Sequence, residues 1–151
     1  MNLETKITIA LKEAMKSKDK TRLIALRAIK SAIILQKTQK SNSSDLLVED
    51  EMRILQKLVK QRKESADIFL KQDRGDLAEP ELGEAKIIQE FLPESLSEDE
   101  IIPIVKSIIQ DLGASNMSDM GKVMGVSSQK LLGKADGKII STIVRKLLSW
   151  K

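Results

Sequence analysis

The sequence predicts an all-α protein, and three observations support that fold class. Apolar residues recur at steps of three and four over most of the 151 residues, the spacing that lines one face of an α-helix. No segment alternates with period two, so a β-sheet is not expected. Helix-capping residues stand where apolar stripes begin, as at Asp19, Ser97 and Asp136. We therefore expect an N-terminal bundle of long helices followed by a small C-terminal helical domain.

The first two helices are predicted from apolar stripes that start near the beginning of the chain. The first should run from about Leu3 to Lys16. Asp19 can cap the second, whose stripe continues until the polar stretch 39–44. That stretch is typical of a mobile loop.

The third and fourth helices complete the predicted N-terminal bundle. The third begins near Leu47 and should end at residues 73–75, where Gly75 can supply a left-handed cap. A shorter acidic helix over 77–90 is ended by residues 91–93. Arg62 interrupts the apolar stripe of the third helix, so we expect its guanidinium to lie along the helix packing and to bond a carboxylate or loop carbonyls.

A hinge at Pro93 separates the two predicted domains, 1–92 and 93–151. Ser97 and Glu100 form a capping box that starts a helix over 97–113, which could pack with either domain. The remaining helices are short. They are expected over 119–124 after a cap at Ser118, over 128–132, and over 137–148 after a cap at Asp136.

Composition excludes several classes of chemistry. The chain has no cysteine and no histidine, which excludes thiolate catalysis, disulfides, the usual zinc sites and histidine acid/base catalysis. We expect neither a cofactor nor a metal. Phe69, Phe91 and Trp150 are the only aromatic residues, so stacking on unpaired bases is not expected as a main binding mode. No apolar run has the length of a membrane span and the first residues lack a signal-peptide core, so a cytoplasmic protein is expected.

Charge is distributed in three blocks along the chain. Residues 1–64 hold 15 basic and 8 acidic side chains, residues 65–110 hold 4 and 11, and residues 111–151 hold 7 and 3. Two interpretations stay open at this point. The lysines could simply solvate exposed helices, or the two basic ends could flank one anionic ligand.

Two glycine-lysine segments, 120–125 and 133–138, carry the clearest functional signal. Each has two glycines four residues apart and a lysine directly after the first glycine. The glycines are Gly121, Gly125, Gly133 and Gly137. Glycines permit tight turns or a close approach of two backbones, so Lys122, Lys134 and Lys138 are expected to project from bends toward an anionic polymer. Helix packing and entry into the last helix would also account for the glycines.

Four features of the chain stand in a fixed order: residues 26–32, residues 60–65, residues 91–97 and the pair of glycine-lysine segments. Together they resemble the YqeY family, the freestanding relatives of the tail domain of the B subunit of the tRNA-dependent amidotransferase. The resemblance implies two helical subdomains. In the amidotransferase, a carbon-nitrogen ligase with glutamine as amido-N-donor, the tail domain grips the tRNA body while other parts perform the chemistry.

The resemblance implies a tRNA-binding accessory role in translation. We predict that Lys122, Lys134 and Lys138 bind RNA, and that Lys130 and Arg145 extend the same surface. Backbone N–H groups at the start of the last helix could join them in binding a phosphate. Amidotransferase or aminoacyl-tRNA synthetase components are the protein partners that this role suggests.

Catalytic machinery is not expected. The kinase-like and amidase parts of the amidotransferase have no counterpart here, and no phosphate-binding Gly-x-x-x-x-Gly-Lys-Ser/Thr pattern occurs. Ser127 and Lys130 have the Ser-x-x-Lys spacing of some acyl-enzymes, which we interpret as coincidence because the accompanying motifs are missing.

A protein-interaction adaptor is the alternative function. One contiguous basic face would favour RNA, whereas an exposed apolar groove rimmed by mixed charge would favour a protein partner.

Overall fold

The computed structural model describes residues 2–39 and 46–149, and it confirms the all-α fold class. These residues form seven α-helices and one 3-10 helix, with no strand among them. The helices are α1 (Leu3–Ser17), α2 (Lys20–Gln39), α3 (Val48–Lys71), α4 (Gly75–Gln89), α5 (Glu98–Leu112), α6 (Met120–Lys130) and α7 (Gly137–Ser149), with the 3-10 helix at Met117–Asp119. Of the loop predicted over 39–44, Gln39 ends α2 and the rest lies outside the described residues.

The helices form two compact units, one ending at Pro93 and the other starting at Glu94. In the N-terminal unit, α1 to α4 bury aliphatic side chains around Ile7, Leu26, Ile29, Leu55 and Ile88, each of which is completely or almost completely inaccessible to solvent. At about 1.5 to 3 kcal/mol for each fully buried large aliphatic side chain, this burial is the main favourable contribution to the stability of the unit.

Backbone turns in the left-handed region end three of the helices. Each turn has the paired bonds of a Schellman motif, as where the Arg74 N–H donates to the Phe69 carbonyl at 2.8 Å and the Asp73 N–H to the Leu70 carbonyl at 3.1 Å. The left-handed residues are Lys18, Asp73 and Gly113, at φ of 57°, 58° and 64°. The predicted left-handed cap at Gly75 is wrong, because Asp73 takes that conformation and Gly75 is already the first residue of α4.

The predicted caps are confirmed at three helix starts and wrong at one. Asp19 Oδ1 accepts from the Arg22 N–H at 3.1 Å, the Ser97 and Glu100 box is formed, and Asp136 Oδ1 accepts from the Lys138 N–H at 3.2 Å. Ser118 is not a cap, because the Asn116 side chain precedes it and accepts from the Ser118 N–H at 2.9 Å.

A single helix, α6, replaces the two short helices predicted over 119–124 and 128–132. Its buried stripe, which includes Val123 and Ser127 and is followed by Leu131, runs through the predicted break. Burial of this stripe therefore outweighs the low helix propensity of two glycines.

Arg62 on α3 forms the ion pair that its place on the apolar stripe predicts. Its Nε lies 3.4 Å from Glu84 Oε1 on α4, and its Nη1 donates to the Leu58 carbonyl at 3.4 Å. The two side chains retain only 17% and 14% of their exposure. The Nε contact lacks the geometry of a hydrogen bond, so the pair is held mainly by charge attraction in a half-buried setting.

A buried carboxylate ties the start of α1 to α3. Glu51 Oε2 accepts from the Leu3 N–H at 2.9 Å, and Glu51 is only 9% exposed. The N–H groups of a first helical turn have no partner inside the helix, so an acceptor there also satisfies the positive end of the helix dipole. Nothing in the local sequence pairs these two residues, which lie 48 positions apart.

In the C-terminal unit, α5, α6 and α7 enclose a separate aliphatic core. Ile101, Val105, Val123, Leu131 and Val144 are its most buried members. Gly113 ends α5, and Pro103 lies at an exposed position of that helix, where its ring faces away from the core. The core therefore fixes which faces of α6 and α7 are left exposed.

We predict that burial, rather than distance, determines how much two of the ion pairs in the N-terminal unit, Arg62 with Glu84 and Arg22 with Glu90, contribute to the free energy of unfolding. Glu84→Gln removes the partner of a half-buried guanidinium and should lower the free energy of unfolding by about 2 kcal/mol. Glu90→Gln breaks the Arg22 pair, which is shorter at 2.6 Å but has side chains 31% and 53% exposed, and should cost under about 1 kcal/mol. Urea unfolding followed by circular dichroism measures both, and an equal or reversed order would contradict this account.

Candidate nucleic-acid interface

The connection between α6 and α7 is a tight turn with both backbone groups of Lys134 bonded. The Lys134 N–H donates to the Leu131 carbonyl at 2.9 Å, and the Lys134 carbonyl accepts from the Leu96 N–H, also at 2.9 Å. Leu131, at 1% exposure, anchors the turn in the core. The backbone that carries the Lys134 side chain is therefore held in place from both sides.

Three exposed lysines lie at this turn. Lys130 is the last residue of α6, Lys134 stands in the connection, and Lys138 is in the first turn of α7. Within residues 2–39 and 46–149, none of the three pairs with a carboxylate. Lys130, Lys134 and Lys138 thus lie on the connection between α6 and α7 or at the helix ends beside it, and we call them the lysine cluster.

One member of the lysine cluster, Lys138, lies in the first turn of α7, which is an unfavourable position for a cation. Like charges repel one another, and the start of a helix carries a partial positive charge that disfavours a cation such as Lys138. Asp136 supplies a single compensating carboxylate at the cap. An anion bound at the cluster would relieve this repulsion, so the arrangement favours a ligand such as phosphate.

The structure separates the other two predicted residues, Lys122 and Arg145, from the lysine cluster. Lys122 precedes Lys130 by eight residues on α6, and Arg145 follows Lys138 by seven residues on α7. At 1.5 Å rise per residue these intervals are about 12 Å and about 10 Å. Both side chains are exposed. Lys122 lies within a helix, so the expectation that it projects from a bend is wrong.

The four glycines have three different settings. Gly121 and Gly125 lie inside α6, so the turns predicted there do not form. A Cβ added to either would have no atom within 4 Å, so packing inside the molecule does not require a glycine. Gly133 is buried in the connection at φ 83°, a conformation that favours glycine. Gly137 is the first residue of α7.

The start of α7 is already occupied in part by an internal acceptor. Asp136 Oδ1 accepts from the Lys138 N–H at 3.2 Å, so that N–H is not available to a phosphate while the cap is in place. The expectation that the first N–H groups of the last helix join the lysines therefore does not hold for the Lys138 N–H. An anion at this end would be held mainly by the ammonium groups.

Ser127, the serine with Ser-x-x-Lys spacing, is completely buried in α6. Its hydroxyl has no hydrogen-bond partner in the described part of the chain and points into the aliphatic core. A serine in that position cannot reach a substrate, which agrees with the interpretation of the spacing as coincidence.

Metal-ion sites and membrane spans are not found in the described ranges. Residues 2–39 and 46–149 contain no group of three or more acidic side chains arranged to hold a metal ion. None of their helices is both long and apolar enough to cross a lipid bilayer.

Leu96 and Leu131, which fix the cluster, are not identified by the sequence patterns above. Leu96 directly precedes the Ser97 cap, the position at which an apolar residue often packs against the new helix. That pattern could have identified its side chain as packed against the C-terminal core, where it is partly buried. The bond from its N–H to Lys134 joins segments on either side of α5 and α6, and no local signal indicates it.

A family model described as Yqey-like protein matches residues 4–148 of this chain. The match covers both compact units and includes every residue of the lysine cluster.

Two relatives illustrate the range of similar proteins. One is the protein named altered inheritance of mitochondria protein 41, mitochondrial, from Pyrenophora tritici-repentis, which is 32% identical over 145 residues, 93% of this chain and 78% of the relative. The other is the E subunit of the glutamyl-tRNA(Gln) amidotransferase from Thermococcus gammatolerans, 29% identical over 118 residues. That match covers 76% of this chain but 19% of the relative, so the chain spans about a fifth of it.

We predict opposite effects of alanine at a turn glycine and at a helix glycine. Gly133→Ala places a Cβ at positive φ in a buried turn and should lower the free energy of unfolding by about 1 to 2 kcal/mol. Gly125→Ala adds a methyl group in open space inside α6 and should raise it by about 0.5 to 1 kcal/mol. Thermal unfolding followed by circular dichroism tests both, and a destabilised Gly125→Ala protein would contradict the helical setting.

Proposed function

Because the chain belongs to the YqeY-like protein family, we propose that it is a tRNA-binding accessory protein whose C-terminal unit contacts folded RNA. The relative from Thermococcus gammatolerans, whose name is that of an enzyme acting on glutamyl-tRNA, supports this ligand class. The function is binding and needs no cofactor. The proposed partnership is with an amidotransferase, a carbon-nitrogen ligase that uses glutamine, or with aminoacyl-tRNA synthetase components.

The lysine cluster is the observation that carries this proposal. Lys134 lies on a turn that is fixed by hydrogen bonds and a buried leucine, and Lys130 and Lys138 lie at the helix ends on either side of it. None of the three has a carboxylate partner in residues 2–39 or 46–149. Lysines whose only role is to keep a surface soluble do not require a rigid backbone turn. Lysines on a fixed backbone are suited to contact the regularly spaced phosphates of a folded RNA. Release of counterions from those phosphates would favour binding.

Lys122 and Arg145 extend the proposed surface along two helices. Each lies about two turns from the cluster, so the three sites span more than a single phosphate. Gly121 and Gly125 flank Lys122 and present no side chain, which would allow an RNA backbone to approach α6 closely.

The proposed mode of recognition is by phosphates and shape. The C-terminal unit, residues 94–151, has a single aromatic residue, Trp150, so stacking on several unpaired bases is not expected to be the main contact. Sequence-specific recognition of single-stranded RNA usually depends on such stacking, whereas double-stranded RNA is recognised largely through its backbone and shape. We therefore propose contact with a paired region of the tRNA body.

The cytoplasm is the location assumed in this proposal. The relative from Pyrenophora tritici-repentis has a name that includes the word mitochondrial, so fractionation of the source cells is the direct check.

We predict saturable binding to total tRNA that persists at physiological salt. Titration by fluorescence anisotropy, repeated at several salt concentrations, should give a linear fall of log K with log salt. A double-stranded DNA of similar length is the competitor and should displace tRNA only weakly if recognition depends on the shape and 2′-hydroxyl groups of folded RNA, as proposed, and not on charge alone. Equal competition by DNA would show that the interaction is nonspecific charge attraction.

We predict that charge reversal at the cluster removes most tRNA affinity. The triple variant Lys130→Glu, Lys134→Glu and Lys138→Glu should lower the salt slope by about 2 to 3, since each lysine would neutralise about one phosphate. A charge-matched control reverses Lys57, Lys60 and Lys63, which are exposed on α3. Equal losses in the two variants would show that net charge, rather than the cluster, determines affinity. Adding Lys122→Glu to the cluster variant then measures the contribution of α6.

A further inference from the structure

A groove between α5 and α7 lies beside the cluster-bearing face of α7 and is not used by the proposed RNA contact. The groove is open to solvent and has a volume of about 530 Å³. Its floor is aliphatic, with Ile102 and Ile109 from α5 and Ile143 and Leu147 from α7. Its charged rim consists of Lys106, Lys146 and Glu98.

The floor is continuous along both helices. Ile102 and Ile109 are seven residues apart on α5, and Ile143 and Leu147 are four apart on α7, so each pair lies on one helical face. Ile139, which is 40% exposed, extends the α7 side by one turn. From Glu98 to Ile109 the wall of the groove is about 16 Å long, which is room for about three turns of a helix.

The two lysines of the rim are not paired with carboxylates in the described part of the chain. Neither Lys106 nor Lys146 makes an ion pair within the described ranges 2–39 and 46–149. Two unpaired cations beside an aliphatic floor are complementary to a ligand that carries both apolar groups and carboxylates.

Helical walls restrict the form of such a ligand. The N–H and C=O groups of α5 and α7 are bonded within their helices, so the groove offers no edge to an extended peptide. A strand laid on it would leave its own polar backbone groups unpaired over an apolar floor. A helix satisfies these groups internally and can place apolar residues at steps of three and four into the groove.

We propose that the α5/α7 groove docks an acidic amphipathic helix of a partner protein. The partner helix would present leucine or isoleucine side chains to Ile102, Ile109, Ile143 and Leu147, with flanking glutamates or aspartates facing Lys106 and Lys146. This docking is independent of the proposed RNA contact, because Lys138 and Arg145 project from a different face of α7 than Ile143 and Leu147 do.

The test uses the full chain and two labelled peptides of about 15 residues. Both are alanine-based helices with leucines at positions i, i+4, i+7 and i+11, and they differ only in carrying glutamates or lysines on the flanks. The glutamate peptide should bind with saturation below about 1 mM, and the lysine peptide should bind at least about tenfold more weakly. Absence of binding by both peptides, or equal binding of both, would overturn the proposal.

Isotope-labelled isoleucine methyl groups locate the binding directly. On addition of the glutamate peptide, methyl resonances of Ile102, Ile109 and Ile143 should shift, whereas those of Ile29 and Ile88, buried in the N-terminal core, should not. Shifts that exclude all three groove residues would overturn the assignment even if the peptide binds.

Charge reversal at the rim provides the matched mutational test. Lys106→Glu with Lys146→Glu should weaken binding of the glutamate peptide about tenfold, while Lys57→Glu with Lys60→Glu, the same change in net charge on α3, should have little effect. All four lysines are exposed, and far-UV circular dichroism checks that each variant is folded.

Two further measurements distinguish an acidic partner helix from other occupants of the groove, namely a second copy of the chain or RNA. Sedimentation without peptide would reveal a dimer, and a dimer that Lys106→Glu with Lys146→Glu alters would identify a second copy as the occupant and overturn the proposal. Titration of the rim variant with tRNA should give unchanged affinity. A large loss of tRNA affinity, with no peptide binding in the parent protein, would instead assign the rim lysines to RNA.

Discussion

Each of the two units is stabilised by its own core of aliphatic side chains. Because aromatic side chains are scarce, these cores depend on close packing of many smaller side chains. Isoleucine, leucine, valine and alanine supply nearly all of the buried surface in the two cores. Such cores are stabilised only if each helix places its whole apolar stripe against its neighbours, because few large rings are available to fill a gap and Phe91, which packs against the N-terminal core, is only partly buried. The C-terminal core is the smaller one, so the burial of a single residue such as Leu131 affects the position of the backbone at the surface. The turn that carries Lys134 is positioned by that anchor.

Much of the fold follows from periodicity and capping, and the exceptions have physical causes. The apolar stripes predicted α1, α2, α3 and α5 to within a few residues, and Ser97 and Asp136 cap as expected. The separate helices expected over 119–124 and 128–132 are one helix, because burial of a common stripe overrides local propensity. Left-handed turns at Lys18 and Asp73 carry no glycine signal.

The candidate site was predictable in its charge and less so in its geometry. The sequence identifies the lysines and predicts the special backbone at Gly133, since both are local properties. It does not separate Lys122, in a helix, from Lys134, in a turn. Contacts between distant segments, such as Glu84 with Arg62 and Leu96 with Lys134, depend on the packed fold and have no local pattern. The α5/α7 groove, too, requires two helices to be brought side by side.

The bond between Leu96 and Lys134 makes the proposed binding surface dependent on the folding of the whole C-terminal unit. Leu96 precedes α5 and Lys134 follows α6, so the turn acquires its fixed form only after both helices have docked. A transient opening of α5 would break this bond and release the turn that carries Lys134. An RNA that binds the ordered turn would therefore slow hydrogen exchange in α5, a helix that it need not touch, through thermodynamic linkage between folding and binding.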